Sequence, residues 1–201
     1  MRVKTDERRQ AIINAAVIVF KEEGYERASM DSIAKRTGGS KATLYGYFKS
    51  KQELFIAALK QTAESAVSQV EPFLDVSSDD LRGMLIRVAG AYVAFLLSLD
   101  TILKTRIVIG ECAGIGLGEE LYEVGPRGGT KLMANFFAEQ MKRGRLKQAD
   151  PLTAALHFKG LVESDHLEAA LYGAHPSLDP KRAIIDAVDA FLIAYSPANK
   201  S

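Results

Sequence analysis

Apolar residues return every three or four positions along almost all of this 201-residue chain. No stretch shows the period-2 alternation that marks a half-buried strand. The first helical stretch, residues 6–23, lines up Ile12, Ala16, Val19 and Phe20 and stops at Gly24. Two short helices are expected over 29–36, with Met30, Ile33 and Ala34 inward, and over 41–48, with the turn Thr37-Gly38-Gly39 between them. A long helix starts at Ser50, where Ser50-Lys51-Gln52-Glu53 matches the S-x-x-E capping box. Its 3–4 spacing persists through Phe55, Leu59, Thr62, Ala66, Val70 and Phe73. After a loop at 74–79, helices are predicted over 80–95, 101–112, 126–143, 151–172 and 180–195, with prolines at first-turn positions. Glycines 110, 114, 116 and 118 interrupt that order. The expected fold is all-α. A three-helix N-terminal unit containing a helix-turn-helix, residues 1–60, is joined by a long helix to a C-terminal helical bundle, residues 61–201.

Two helix starts carry an unexpected charge. Ser40 and Ser50 are favoured N-caps, yet each is followed by a lysine, Lys41 and Lys51, where the helix already bears partial positive charge. A polyanion such as a DNA backbone would resolve both. On a helical wheel Leu44 and Phe48 define the buried side of the third helix. Ala42, Thr43, Tyr45 and Gly46 lie opposite, with Lys41 and Tyr47 on the flanks. The small residues allow close approach, and the hydroxyls of Thr43 and Tyr45 can reach base edges or phosphate oxygens. Taken one at a time, each of these residues reads better as an ordinary helix cap or a solvated surface residue, and only the whole pattern points to DNA.

Charge sharpens this picture. The formal net charge is only +1, but residues 1–60 hold 12 Lys and Arg against 7 Asp and Glu, and the remaining residues hold 14 against 18. A basic head on a mildly acidic body points to a polyanion partner for the head. Hydrophobic residues make up 47%, enough for a core, and no apolar run nears the roughly 20 residues of a membrane span. The basic N-terminus leads into an amphipathic segment rather than a signal peptide. The single cysteine, Cys112, can form no internal disulfide, which suits the cytoplasm.

Residues 8–59 as a whole resemble the N-terminal DNA-binding domain of the TetR/AcrR family of transcriptional regulators. The resemblance is carried by Ile12, Ala15, Ala16, Phe20 and Gly24-Tyr25, then Ser29-Met30 and Ile33-Ala34. It continues through Ser40-Lys41, Thr43-Leu44-Tyr45, Phe48, Ser50-Lys51 and Leu54. It implies phosphate contacts from Ser29, Lys41, Tyr47 and Lys51, and base reading by Thr43 and Tyr45 on a helix kept slim by Ala42 and Gly46. Two positions depart from the pattern. Ala28 stands where threonine is common, and Gly39 where an apolar residue, often valine, packs the turn.

For residues 61–201 the resemblance is looser and includes the stretch from Tyr122 to Pro126. It implies a homodimer on a palindromic operator in double-stranded DNA, and a pocket whose small-molecule effector moves the two heads apart. Candidate lining residues are Tyr92, Phe95, Arg106, Glu111, Cys112, Tyr122 and Phe137. Arg106 and Glu111 lie in an apolar run, where an ion pair or a snorkelling arginine is the competing reading. Segments 127–143 and 151–172 are the dimerisation candidates, with Phe158, Leu161, Val162, Leu167 and Leu171 at the interface. A fully buried core helix is the alternative for the second.

Catalysis and metal binding find little support. His157, His166 and His175 are nine apart, and Glu163-x-x-His166 is half of a di-iron signature with no second copy. No nucleophilic triad, Walker loop or dinucleotide fingerprint is present. The expected protein is therefore a non-enzymatic repressor with no cofactor or metal, released from DNA by an effector. Control by a protein partner over a vestigial pocket, or a helical-bundle carrier or enzyme, are the alternatives.

Overall fold

Side chains close most of the helix starts in the computed structural model, which describes residues 5–74, 79–112 and 118–197, and side chains there except at 62–71, 111, 112 and 124. Helix α1, Asp6–Arg27, begins where the Thr5 hydroxyl accepts the Arg8 N–H at 3.3 Å. Gly24 leaves helical geometry at φ 76°, ψ 168°, and a last turn carries the chain to Ala28. Helix α2, Met30–Arg36, starts with a capping box between Ser29 and Ser32. Helix α3, Lys41–Tyr47, starts at Ser40, whose hydroxyl accepts the Thr43 N–H at 3.1 Å. Helix α4, Lys51–Val70, opens with Ser50 accepting from Glu53 N–H at 3.0 Å. The Glu53 carboxylate reaches back to the Lys49 N–H at 2.6 Å, one residue earlier than the capping box predicts.

The later helices are α5, Leu81–Leu96, α6, Leu99–Ile107, α7, Gly118–Tyr122, α8, Gly128–Lys142, α9, Pro151–Glu163, α10, His166–Tyr172, and α11, Pro180–Tyr195. No strand occurs among the described residues, so the chain is all-α. Three details differ from the sequence pattern. Val108–Cys112 and Glu123–Arg127 wind as π-helical turns, so Pro126 precedes α8 instead of opening it. The helix expected over 151–172 is broken at Ser164, a non-glycine residue at φ 41°, ψ −133°. Beyond the break the Asp165 carboxylate accepts the Ser177 N–H at 2.6 Å, tying the segment after α10 back to the break.

The chain divides into two compact units, Met1–Glu64 with Leu103–Gly125, and Ser65–Ile102 with Pro126–Ser201. A single cut near residue 60 therefore does not describe the division, because a second passage of chain completes the head. The head's core joins Ile12, Ala16, Val19 and Phe20 to Ile33, Leu44, Phe48, Leu54 and Phe55, with Leu121 buried among them and Ile107 and Val108 packed against it. Phe20, Tyr25 and Phe55 form an aromatic cluster, with Phe55 4.8 Å from each of the others. Burying each large side chain stabilises by about 1.5–3 kcal/mol. In the second unit Phe137, Phe158 and Phe191 form the centre, with rings 4.8–5.6 Å apart, and α5, α8, α9 and α11 supply the rest. Among the described residues no single helix is long and apolar enough to cross a membrane.

Candidate nucleic-acid interface

Helix α3 is short because Ser40 starts it and Phe48, extended at φ −132°, ends it. Leu44 and Phe48 are buried and anchor it against α1 and α2. Lys41, Ala42, Tyr45 and Gly46 are left exposed on its outer side. Tyr45 projects a ring that is 47% exposed, and among the described residues no neighbouring atom lies within 4 Å of where a Cβ on Gly46 would stand. Thr43 is half-buried, with its hydroxyl 2.9 Å from that of Ser40. The half-buried Tyr47 accepts the Thr5 N–H through its hydroxyl at 3.2 Å.

The flanking charges already have protein partners. Lys41 Nζ donates to Asp31 Oδ2 at 2.8 Å between exposed side chains, and this hydrogen bond raises the lysine's pKa. Arg36 pairs with Glu22, which lowers the glutamate's pKa. Lys51 departs further from the sequence reading. Its Nζ donates to the carbonyls of Tyr25, Ala28 and Glu26 at 2.7, 3.1 and 3.2 Å, and stands 4.3 Å from the Tyr25 ring centroid. The charge that looked misplaced at the start of α4 thus sits on orphan carbonyls at the end of α1, where a cation is favoured. Sequence spacing could not reveal those partners, which lie 23 to 26 residues away. Ser29 is exposed, and its hydroxyl accepts the Ser32 N–H at 3.0 Å.

The effector-pocket candidates do not form one group within either unit. Arg106 and Tyr122 belong to the first unit and are exposed. Tyr92, Phe95 and Phe137 belong to the second, where Tyr92 and Phe95 are half-buried. Phe137 is fully buried, stacked on Phe191 at 4.8 Å, and serves as core. The side chains of Glu111 and Cys112 lie outside the described residues.

Sequence reasoning missed the partner of Tyr92. Its hydroxyl donates to Glu163 Oε1 at 2.5 Å, and Lys159 Nζ donates to Glu163 Oε2 at 3.0 Å. Burial, and then the adjacent carboxylate, pushes the Tyr92 hydroxyl well above its ordinary pKa. Beyond the helix break His166 is 1% exposed, and neither ring nitrogen finds a hydrogen-bond partner among the described residues. The Glu163-x-x-His166 spacing was the available signal. The helix breaks at Ser164 between the two, and among the described residues no group of three or more potential metal ligands occurs.

The dimerisation candidates also need correction. Phe158 and Val162 are 4% and 1% exposed and pack inside their own subunit, and Leu167 and Leu171 are half-buried. The open apolar side of α9 carries Leu152, Leu156 and Leu161, and on α11 Ile193 is 84% exposed. The α9 wheel had apolar residues on both sides, and only the positions of α8 and α11 decide which side is inward.

A helix-turn-helix whose second helix is anchored by Leu44 and Phe48 and bare on the opposite side defines a DNA-binding regulator. Residues 12–58 match the profile described as bacterial regulatory proteins, tetR family, and residues 83–197 match the AefR-like transcriptional repressor, C-terminal domain. The chain belongs to the TetR family of transcriptional regulators, proteins that are not enzymes.

Among its relatives, the HTH-type transcriptional activator FasR of Mycolicibacterium smegmatis is 43% identical over 79 residues, 39% of this chain and 36% of FasR. The nicotine-responsive transcriptional repressor HdnoR of Paenarthrobacter nicotinovorans is 32% identical over 110 residues, 55% of this chain and 56% of HdnoR. The chain thus spans only about a third to just over half the length of these two curated relatives. YhgD of Bacillus subtilis is 28% identical over 96% of this chain and 98% of its own length. Among solved structures, the flavonoid-responsive regulator FrrA superposes with a TM-score of 0.83 at 29% identity, covering 96% of this chain and 100% of FrrA. A TetR-family regulator from Mesorhizobium loti superposes at 0.87 with 24% identity, covering 97% and 100%, and shares the fold.

Proposed function

We propose that this regulator is a cytoplasmic homodimeric repressor that grips a palindromic operator through α3 and releases it when a small molecule occupies the C-terminal domain. The bare face of Lys41, Ala42, Tyr45 and Gly46 is the observation that carries this reading. Tyr45 and Thr43 read base edges, while Ser29, Lys41 and Tyr47 hold phosphates. Lys41 exchanges Asp31 for the stronger field of the DNA backbone. Lys51 acts by fixing the start of α4 against the end of α1.

Dimerisation through the open sides of α9 and α11 accounts for Leu152, Leu156, Leu161 and Ile193, large apolar residues left in solvent by the single subunit. Repression is supported by the AefR-like C-terminal profile, and effector relief by the nicotine- and flavonoid-responsive relatives. The hydrogen-bonded pair of Tyr92 and Glu163, and separately the buried ring of His166, offer an effector hydrogen-bonding groups.

Selection of bound duplexes from a random pool tests the reading. An inverted repeat with half-sites about 10 bp apart, or a multiple of it, is expected. A pool without an enriched repeat overturns it. Native mass spectrometry should give a dimer mass. A retained small molecule should weaken operator binding when added back.

A further inference from the structure

Gly39 departs from the apolar residue common at its position in the family pattern, and an arginine uses the space. A Cβ on Gly39 would stand 2.6 Å from Arg8 Nη2, 3.8 Å from Arg8 Cζ and 3.3 Å from Thr37 Oγ1. The positive φ of this turn belongs to Gly38, at 63°, and not to Gly39. The backbone therefore tolerates a side chain at 39, and what the glycine provides is room. The guanidinium of Arg8 fills it, reaching across from the first turn of α1 to the turn that leads into α3.

The neighbouring arginine is placed at the other end of the same helix, with Arg9 Cζ 5.1 Å from the Phe48 ring centroid. The N-terminal turn of α1 thus lies along α3, as the Thr5–Tyr47 hydrogen bond also shows. Arg8 differs from Arg36 and Lys41. Arg36 is paired with Glu22 and Lys41 with Asp31, whereas Arg8 is half-buried and its guanidinium has no carboxylate partner among the described residues. A planar fork of donors, held at the edge of the reading head with its charge unspent, matches the geometry of a phosphate.

We propose that Arg8, seated over Gly39, is a further DNA contact that binds a backbone phosphate beside α3. The contact rests on the DNA-binding reading above. It makes Gly39 a positioning residue, whose missing side chain decides where the guanidinium stands.

Binding of the full-length chain to a random-sequence duplex, followed between about 50 and 200 mM salt, tests this, because phosphate contacts act on any sequence. Arg8→Gln should make the dependence of log K on log salt shallower by about 1, with thermal unfolding unchanged. Gly39→Ala should reproduce part of that change, because its methyl meets the flexible end of Arg8 and not backbone. Combining the two should add nothing to Arg8→Gln alone. An Arg8→Gln slope equal to that of a binding wild type would overturn the contact while leaving DNA binding intact. Independent, additive losses from the two variants would overturn the seat. A wild type that binds no duplex at any salt would remove the DNA-binding reading and the contact together.

Discussion

Lys51 holds Tyr25 twice, donating to its carbonyl at 2.7 Å and standing 4.3 Å from its ring centroid. With the Ala28 and Glu26 carbonyls also accepting from the same ammonium, this lysine joins the start of α4 to the end of α1. Lys51→Met keeps the stem and removes the charge. It should cost about 1–2 kcal/mol of stability in urea unfolding, discounted for partial exposure. The salt dependence of DNA binding should stay at the wild-type slope. Unchanged stability with a shallower slope would return Lys51 to the phosphate role that its sequence position suggests.

Gly46 offers a cleaner separation of folding from function. Among the described residues nothing lies within 4 Å of where its Cβ would stand, and its φ is not positive. Gly46→Leu should leave stability unchanged or raise it by about 0.5–1 kcal/mol through helix propensity. Operator affinity should nevertheless fall by about tenfold or more, a loss of about 1.4 kcal/mol. A variant that binds as the wild type does would show that α3 does not approach the groove through this face.

The two sides of α9 should respond oppositely to substitution. Leu156→Glu lies on the open side and should change subunit stability by less than about 0.5 kcal/mol. It should shift the sedimenting species from dimer to monomer. Phe158→Ala empties the aromatic core and should cost about 3–5 kcal/mol. A dimeric Leu156→Glu protein would place the interface elsewhere.

Asp150 makes one contribution to acid stability that can be isolated. Its carboxylate caps α9, and hydrogen bonds from the Thr153 hydroxyl and N–H lower its pKa from the ordinary value. The folded state therefore binds this proton less readily than the unfolded chain. Stabilisation is complete above the ordinary carboxylate range and is lost as pH falls below about 4 and through the lowered value. Asp150→Asn retains a good cap. Its melting temperature should decline less steeply with acid over that interval, and a decline parallel to the wild type would reject this linkage.

Local features were the ones legible in the sequence. Ser40 and Ser50 cap helices through their own next turn, so a window of a few residues contains all the physics. The inward residues of α3 and the exposure of Ala42, Tyr45 and Gly46 follow from the wheel for the same reason. Lys51 was read through its nearest neighbours, and its partners lie far along the chain. The break at Ser164 carries no glycine or proline to announce it, and its geometry accompanies a tertiary contact from Asp165 to Ser177. On α9, Phe158 and Leu156 are equally apolar, and only packing distinguishes core from open face.

The return of residues 103–125 to the head has a practical consequence for anyone who would transplant it. Ile107 lies with Val17, Phe20, Phe55, Ala58 and Leu59 around one small hollow, and Leu121 is 4% exposed in the same core. A fragment ending near residue 64 would leave that apolar wall open to water. The reading head is thus a discontinuous module, and a chimera that borrows its specificity must borrow both passages of the chain.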